Sequence, residues 1–275
     1  MNDLLANPAF QAGVFPFCAA LIFTVLTGRL SYWSGLAILA GFITVILLTT
    51  GIQFSPLTST RKIVIMALLF PAIGTLFHLA RFDNRQSNIT LIIVGTLSIF
   101  WIIWPYISRQ EINEALMIGV LSAIYVVWML VVSASHTSST VISAGSSAVA
   151  MGFGIGGTAI IGASALLGQI GIAIGASGGA YLLVHLILKT RRNAGYLIGI
   201  CAGGISGLLG VTSVLYAKVP WYALLILAPI PLLTKISLPD RQSPWLQAVI
   251  WISICMLPAG LAMYLTSNSA GPALY

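Results

Sequence analysis

The stretch 138–188 contains no Asp, Glu, Lys or Arg and carries eleven glycines. It is much longer than the ~20 residues that a helix needs to cross a bilayer. The stretch is therefore predicted to form two helices joined by a tight turn near Gly162. Gly171, Gly175 and Gly179 are spaced four apart, which places them on one helix face and predicts that another helix packs closely against them.

The composition places the whole chain in a membrane. Only 6% of the 275 residues are charged and 59% are hydrophobic, whereas soluble domains carry roughly 25% charged residues. The predicted fold is all-α, a polytopic transmembrane helix bundle that forms a single integral-membrane domain over 1–275 in a lipid bilayer. The net charge of +7 comes from basic residues spread thinly over loops, so no nucleic-acid partner is expected.

Apolar runs between short polar clusters predict ten helices, or nine if the ninth does not cross. The predicted helices are 9–28, 33–52, 63–80, 88–107, 115–134, the glycine-rich pair within 138–188, 194–216, 221–235 and 244–266. The ninth helix would span only ~22 Å, less than the ~30 Å hydrocarbon core. The loop before the third helix is predicted to cover 53–62.

The distribution of Arg and Lys predicts the orientation. With ten helices, eight basic residues fall on one side of the membrane and four on the other, and the richer side is expected to face the cytoplasm. The richer side holds Arg29, Arg81, Arg85, Lys189, Arg191, Arg192, Lys235 and Arg241; the other holds Arg61, Lys62, Arg109 and Lys218. Both termini are then expected outside the cytoplasm of a bacterial-type plasma (inner) membrane.

A shift of 130 residues lays the first five predicted helices onto the last five. Thr60-Arg61-Lys62 then falls on Thr190-Arg191-Arg192, and Gly41 and Gly74 fall on Gly171 and Gly204. Because five is odd, the half-repeats 1–135 and 136–275 would be inverted relative to each other. Scattered matches of Gly, Ala and Leu also arise by chance in such a composition, so both interpretations stay open. Two inverted units of five short helices resemble, in size and helix count, the drug/metabolite transporter superfamily, which implies a site between the halves.

Helix breakers at matching places in the two halves indicate a candidate substrate path. The candidates are Pro71 and Gly74 in the third helix, Gly203, Gly204 and Ser206 in the eighth, and the polar residues Ser147 and Gln169 in the glycine-rich pair. Broken helices often line transporter sites. The same residues are also ordinary helix-packing residues in membranes, and that alternative stays open.

The sequence offers little for catalysis. Its five acids lie outside the predicted helix centres, and its three cysteines and three histidines match no metal-ligand spacing. Gly175-Ala176-Ser177-Gly178 resembles the nucleophile segment of rhomboid proteases, but His185 lies roughly 12 Å further along the same helix, too far to act as its base. His78 and His185 are interpreted as interfacial anchors. No catalytic residue, cofactor or metal is expected, and an enzyme is the less favoured class.

Two functions remain. The first is a small transporter or permease for a neutral or modestly polar solute. The second is a non-catalytic subunit or scaffold of a larger membrane complex, in which glycine-rich faces pack against other membrane subunits or a second copy in a homodimer. A transporter predicts a path at mid-depth that reaches Gln169 or Ser206, whereas a scaffold predicts a filled interior and an outward face of small residues.

Overall fold

The computed structural model describes residues 7–28, 32–51, 55–80, 82–135, 140–190, 193–236 and 243–269. Within those ranges the chain forms ten helices, which confirms the predicted all-α class and helix count. They are α1 (Phe10–Thr27), α2 (Trp33–Thr49), α3 (Ser59–Leu79), α4 (Asn84–Ile107), α5 (Ile112–Ala134), α6 (Val141–Ile161), α7 (Ala165–Ile187), α8 (Tyr196–Tyr216), α9 (Trp221–Leu233) and α10 (Pro244–Ser269).

Side-chain caps set the starts of two helices earlier than the apolar pattern predicts. The Thr58 side chain accepts a hydrogen bond from the backbone N–H of Arg61, so α3 begins at Ser59. The predicted loop 53–62 is therefore wrong at its end, since Arg61 and Lys62 belong to the first turns of α3. A capping box formed by Asp83 and its partner three residues later starts α4 at Asn84 instead of at 88.

Three helices are irregular. α1 opens with a π-helical turn, Phe10–Val14, and α2 opens with a 3₁₀ turn, Trp33–Leu36. α9 stops at Leu227 and resumes only over Ile230–Leu233, because Pro229 between the two pieces has no backbone N–H to continue the hydrogen-bond ladder. At about 20 Å, α9 is as short as the sequence predicts.

Hydrogen bonds between helix ends define two faces of the bundle. We call the face where α1 begins the near face; there the Ser59 hydroxyl donates to the Tyr216 hydroxyl. At the opposite face, the far face, the Tyr196 hydroxyl donates to the Asn84 side chain and the Lys235 ammonium group donates to the Ser135 hydroxyl. Successive helices thus run in alternate directions, and both described ends of the chain lie at the near face.

The helices are arranged around α8. In the most apolar 18-residue segment of α8, 94% of the residues are buried; the corresponding share is 78% in α6 and α7, 28% in α10 and 22% in α1. The outer helices expose large apolar side chains such as Leu97, Leu121 and Leu257, which suits contact with lipid. Eight of the described helices are long and apolar enough to cross a bilayer. The chain is a multi-pass integral membrane protein.

The contacts do not show the five-plus-five repeat that the sequence left open. α6 packs along α10 and also against α8, but the corresponding pairs in the first half, α1 with α5 and α1 with α3, have no comparable contact among the described residues. Arg191 and Arg192, on which the sequence match depends, lie outside the described residues. The helix order fits two halves of five, and the repeat itself is not shown.

Candidate functional site

Glycines bring the backbones of α6 and α7 into direct contact. A Cβ built on Gly171 would lie 2.5 Å from the Cα of Gly156, and one built on Gly152 would lie 2.6 Å from the Cα of Gly175. These distances are well below van der Waals contact, so only glycine fits there. The glycine-rich pair is thus a tightly packed helical hairpin within this chain, and its turn at Gly162 lies where the sequence predicts it.

Gly179 lies off this contact, contrary to the expected stripe of three. Its added Cβ would meet only Phe17 of α1, at 3.9 Å, whereas one on Gly178 would lie 2.9 Å from the backbone nitrogen of Val149 on α6. The reason is the helical period of 3.6 residues: two steps of four rotate the position by about 80°. The contact face therefore follows Gly171, Gly175 and Gly178.

Gly74 of α3 and Gly204 of α8 lie in one contact between those helices. Pro71 and Gly74 are both buried, and a Cβ on Gly74 would lie 2.8 Å from a methyl carbon of Leu197. One on Gly204 would lie 2.6 Å from the ring of Phe70. The structure thus brings one candidate from each half, Gly74 and Gly204, into the same closely packed contact.

The remaining candidates are dispersed. Gly203 packs on α5, where an added Cβ would lie 2.6 Å from the carbonyl oxygen of Met129. Ser206 and Ser147 are fully buried, and neither hydroxyl has a hydrogen-bond partner. Gln169 is only partly buried and is the fifth residue of α7, next to the near face. It does not lie at mid-depth as expected.

A polar cluster that the sequence interpretation missed joins α2 to α7 near the far face. Ser34 Oγ and His185 Nε2 lie 3.1 Å apart and share a hydrogen bond, and both residues are fully buried. The ring of Tyr181 lies edge-on to the imidazole with 4.5 Å between centroids. His185 Nδ1 has no hydrogen-bond partner. His185 is therefore not the interfacial anchor that the sequence predicted.

Two signals in the sequence point towards this cluster. Tyr181 and His185 are four residues apart and share a helix face. His185 also lies near the end of an apolar run that contains no Asp, Glu, Lys or Arg. An ionisable side chain inside such a run is by default a candidate for function. The partner Ser34 carries no local signal, because its helix meets α7 only through the tertiary fold.

Tyr32, just before α2, ties the same segment to α3. Its hydroxyl donates to the carbonyl oxygen of Gly74, and its ring stacks on His78 with 3.9 Å between centroids. Burial raises the pKa of Tyr32, and Cys201 and Tyr196 on α8 lie close enough to add to the effect. Residues 32–35 therefore contact α3, α7 and α8 at the far face, since Gly35 also packs on the backbone of Ile198.

Ser177 has no role as a nucleophile in this arrangement. Its hydroxyl donates to the carbonyl oxygen of Ala173 at 2.6 Å and packs against Gly41 of α2, while His185 bonds Ser34 instead. Among the described residues, no group of three His, Cys, Asp or Glu side chains is placed to hold a metal ion.

Compared with known proteins, the chain matches no protein-family model and no curated protein sequence.

Proposed function

We propose that this integral membrane protein is a small transporter or permease for a neutral or modestly polar solute, in a plasma membrane of the bacterial type. One observation carries the proposal. Each of the three most buried helices holds at least one buried polar atom without a partner: Ser147 Oγ on α6, the Tyr181 hydroxyl and His185 Nδ1 on α7, and Ser206 Oγ on α8. Among the described residues, Ser87 on α4 and Tyr125 on α5 each add one more.

Such atoms are costly in a membrane. Leaving a buried donor or acceptor unsatisfied costs about 1–3 kcal/mol, and inside a bilayer no surrounding water repays that cost. A protein whose interior serves only as a scaffold gains nothing from several of them. A path that admits a hydrogen-bonding solute and water in another conformation gives each atom a partner. The described charged side chains lie at or near helix ends, which favours an uncharged solute.

The alternative, a non-catalytic subunit of a larger complex, has less support. It was suggested by the glycine face of α7, which would pack on another chain. In the structure Gly171 and Gly175 pack against α6 of the same chain and are not available to a partner. The exposed surfaces of the outer helices carry large apolar side chains instead.

The test is a ligand screen on protein purified in mild detergent. Thermal unfolding is measured with a panel of neutral metabolites, and positive compounds are then assayed for uptake into liposomes. A solute at about 100 times its Kd stabilises the folded state by about 2.7 kcal/mol, which corresponds to a rise in Tm of roughly 5–10 °C.

Ser206→Ala supplies the diagnostic variant. It removes an unpartnered hydroxyl and is expected to lower solute binding and uptake without loss of stability. Ser213→Ala on the same helix is the matched control, because Ser213 is equally buried but donates to the carbonyl oxygen of Leu209. If no solute shifts Tm, and mass spectrometry finds other subunits co-purifying in fixed ratio, the scaffold function replaces this proposal.

A further inference from the structure

The polar cluster of Ser34, Tyr181 and His185 near the far face contains an ionisable side chain inside the bundle. Ionisable side chains are rare inside membrane helices. His185 is the third residue from the end of α7 and has no exposed surface. Its imidazole makes one hydrogen bond, to Ser34 of α2, and its second nitrogen makes none. The structure therefore accommodates a neutral ring, which can leave one nitrogen unbonded more cheaply than a cation can.

Among the described residues, the helices packed around His185 supply no carboxylate as a counter-charge. The titratable groups around this level are Tyr181 on α7 and Lys189 just after it, Cys201 and Tyr196 on α8, Tyr32 before α2, and His78 of α3, which stacks on Tyr32. At the same level α1 contributes Thr24 and Gly28, and α6 begins with hydroxyl residues, so neither adds a charge. Of the described acids, Glu111 and Glu114 lie at the near face, and Asp83 caps α4 at the far face with an exposed side chain. The sequence also assigns Arg29, Arg81, Arg191, Arg192, Asp240 and Arg241 to loops predicted for that side, and all of these lie outside the described residues.

We propose that His185 is a proton-binding site that couples the transported solute to protons, because protonation separates α2 from α7 at the far face. An imidazolium in the closed arrangement would carry a charge and an unpartnered N–H in an apolar interior. The proton therefore binds the open arrangement, in which water reaches the ring, and shifts the equilibrium towards it. This inference rests on the proposed transport function and names its co-transported ion.

The segment that would move is defined by its contacts. Residues 32–35 hold α2 to α3, α7 and α8 through Tyr32, Ser34 and Gly35. Opening at this end of α2 breaks the hydrogen bonds of Tyr32 and Ser34 and the close contact of Gly35 with the backbone of Ile198. Further along α2, Gly41 packs on Ser177 of α7, so the movement is confined to the far face. Opening would expose the space next to Tyr32, where Cys201 of α8 is buried.

The test uses the native cysteines of the full chain in liposomes or nanodiscs. Alkylation of Cys201 by N-ethylmaleimide is quantified by mass spectrometry relative to Cys255, which is buried on α10. The ratio largely cancels the general pH dependence of thiol alkylation. With an ordinary histidine pKa of about 6.5 for the open form, the ratio is expected to be flat at alkaline pH and to rise about tenfold between pH 8 and pH 5.5, of which about fivefold falls between pH 6.5 and 5.5.

Two histidine variants decide the outcome. His185→Gln keeps a hydrogen-bonding group towards Ser34 but cannot titrate, so its ratio is expected to stay constant with pH. His78→Gln changes the exposed histidine of the same face and is expected to keep the full response. A flat ratio in the unmodified protein, or a response lost in His78→Gln and kept in His185→Gln, overturns the proposal.

A third variant covers the case in which His185→Gln fails to fold. Ser34→Ala removes the contact that holds the helices together, so the ratio is expected to be raised already at pH 8 and still to increase on acidification. An unchanged ratio in Ser34→Ala at pH 8 also overturns the proposal. The alkylation needs no solute, so a pH response without any transported solute would contradict only the transport function, and uptake without a pH response would contradict only the proton site.

Discussion

Gly171→Ala is the substitution whose effect follows most directly from the structure. The added Cβ would lie 2.5 Å from the Cα and 2.6 Å from the backbone nitrogen of Gly156. Ordinary contact begins near 3.4 Å, so the difference 3.4 − 2.5 leaves a shortfall of roughly 0.9 Å. Both opposing atoms belong to the backbone and no side chain can rotate away, so α6 and α7 must separate along the crossing.

The magnitude combines two opposite terms. Overpacking of a close-packed interior costs about 1–3 kcal/mol, and the backbone contact at Gly171 places this case at the upper end. Replacing a helical glycine by alanine returns up to about 1 kcal/mol through helix propensity. The net loss is therefore about 2 kcal/mol, which lowers Tm by roughly 4–8 °C in a chain of this size class.

Gly179→Ala is the matched control on the same helix. Its Cβ would meet only Phe17 at 3.9 Å, so helix propensity acts alone and Tm is expected to stay constant or to rise by roughly 2–4 °C. Both variants are compared by tryptophan fluorescence during heating in one detergent at one scan rate. Equal Tm values for Gly171→Ala and Gly179→Ala would refute the reasoning, because the crossing would then tolerate a methyl group.

Two further outcomes are expected at the far face. Tyr32→Phe keeps the ring on His78 but removes the hydroxyl that donates to Gly74, so the free energy of unfolding should fall by about 1 kcal/mol. Tyr264→Phe, an exposed position on α10, should leave the Tm measured by the same heating assay unchanged. Burial lowers the pKa of Lys235 below 10.5 in the folded protein, so between the two pKa values the unfolded chain binds more protons and the contribution of Lys235 to stability should rise with pH. In denaturant titrations from pH 8 to 10.5, the free energy of unfolding of the unmodified protein should therefore increase relative to that of Lys235→Met, because the comparison cancels the titration of the other groups.

The number and positions of the helices could be predicted from the sequence because each depends on a local property. An apolar run of sufficient length must satisfy its backbone hydrogen bonds internally, which makes it a helix wherever it lies. The boundaries at Ser59 and Asn84 were missed because the capping side chains of Thr58 and Asp83 extend the helices into polar residues. Such caps are visible in a sequence only when polar residues are examined as helix starts.

The candidate site was less predictable because it depends on which helices meet. Gly171 and Gly175 were selected by spacing, but the same spacing wrongly included Gly179, since the real contact follows the 3.6-residue period. His185 was interpreted from its distance to a helix end. Its burial and its bond to Ser34, 151 positions away in the chain, arise only when α2 packs on α7.

The unequal packing of the helices also limits how a transport cycle could work. α6 and α7 touch through backbone atoms at Gly156 and Gly171, so they cannot slide past each other without losing that contact. At the far face α2 is held by hydrogen bonds at Tyr32 and Ser34, which can break and reform at little cost when water enters, whereas its middle packs closely on α7 through Gly41 and Ser177. We therefore expect the far-face end of α2 to move, together with the end of α3 that it contacts, against a fixed core of α6, α7 and α8. The partnerless hydroxyls of Ser147 and Ser206 belong to that core, where they would remain in place while the moving helices admit or exclude a solute.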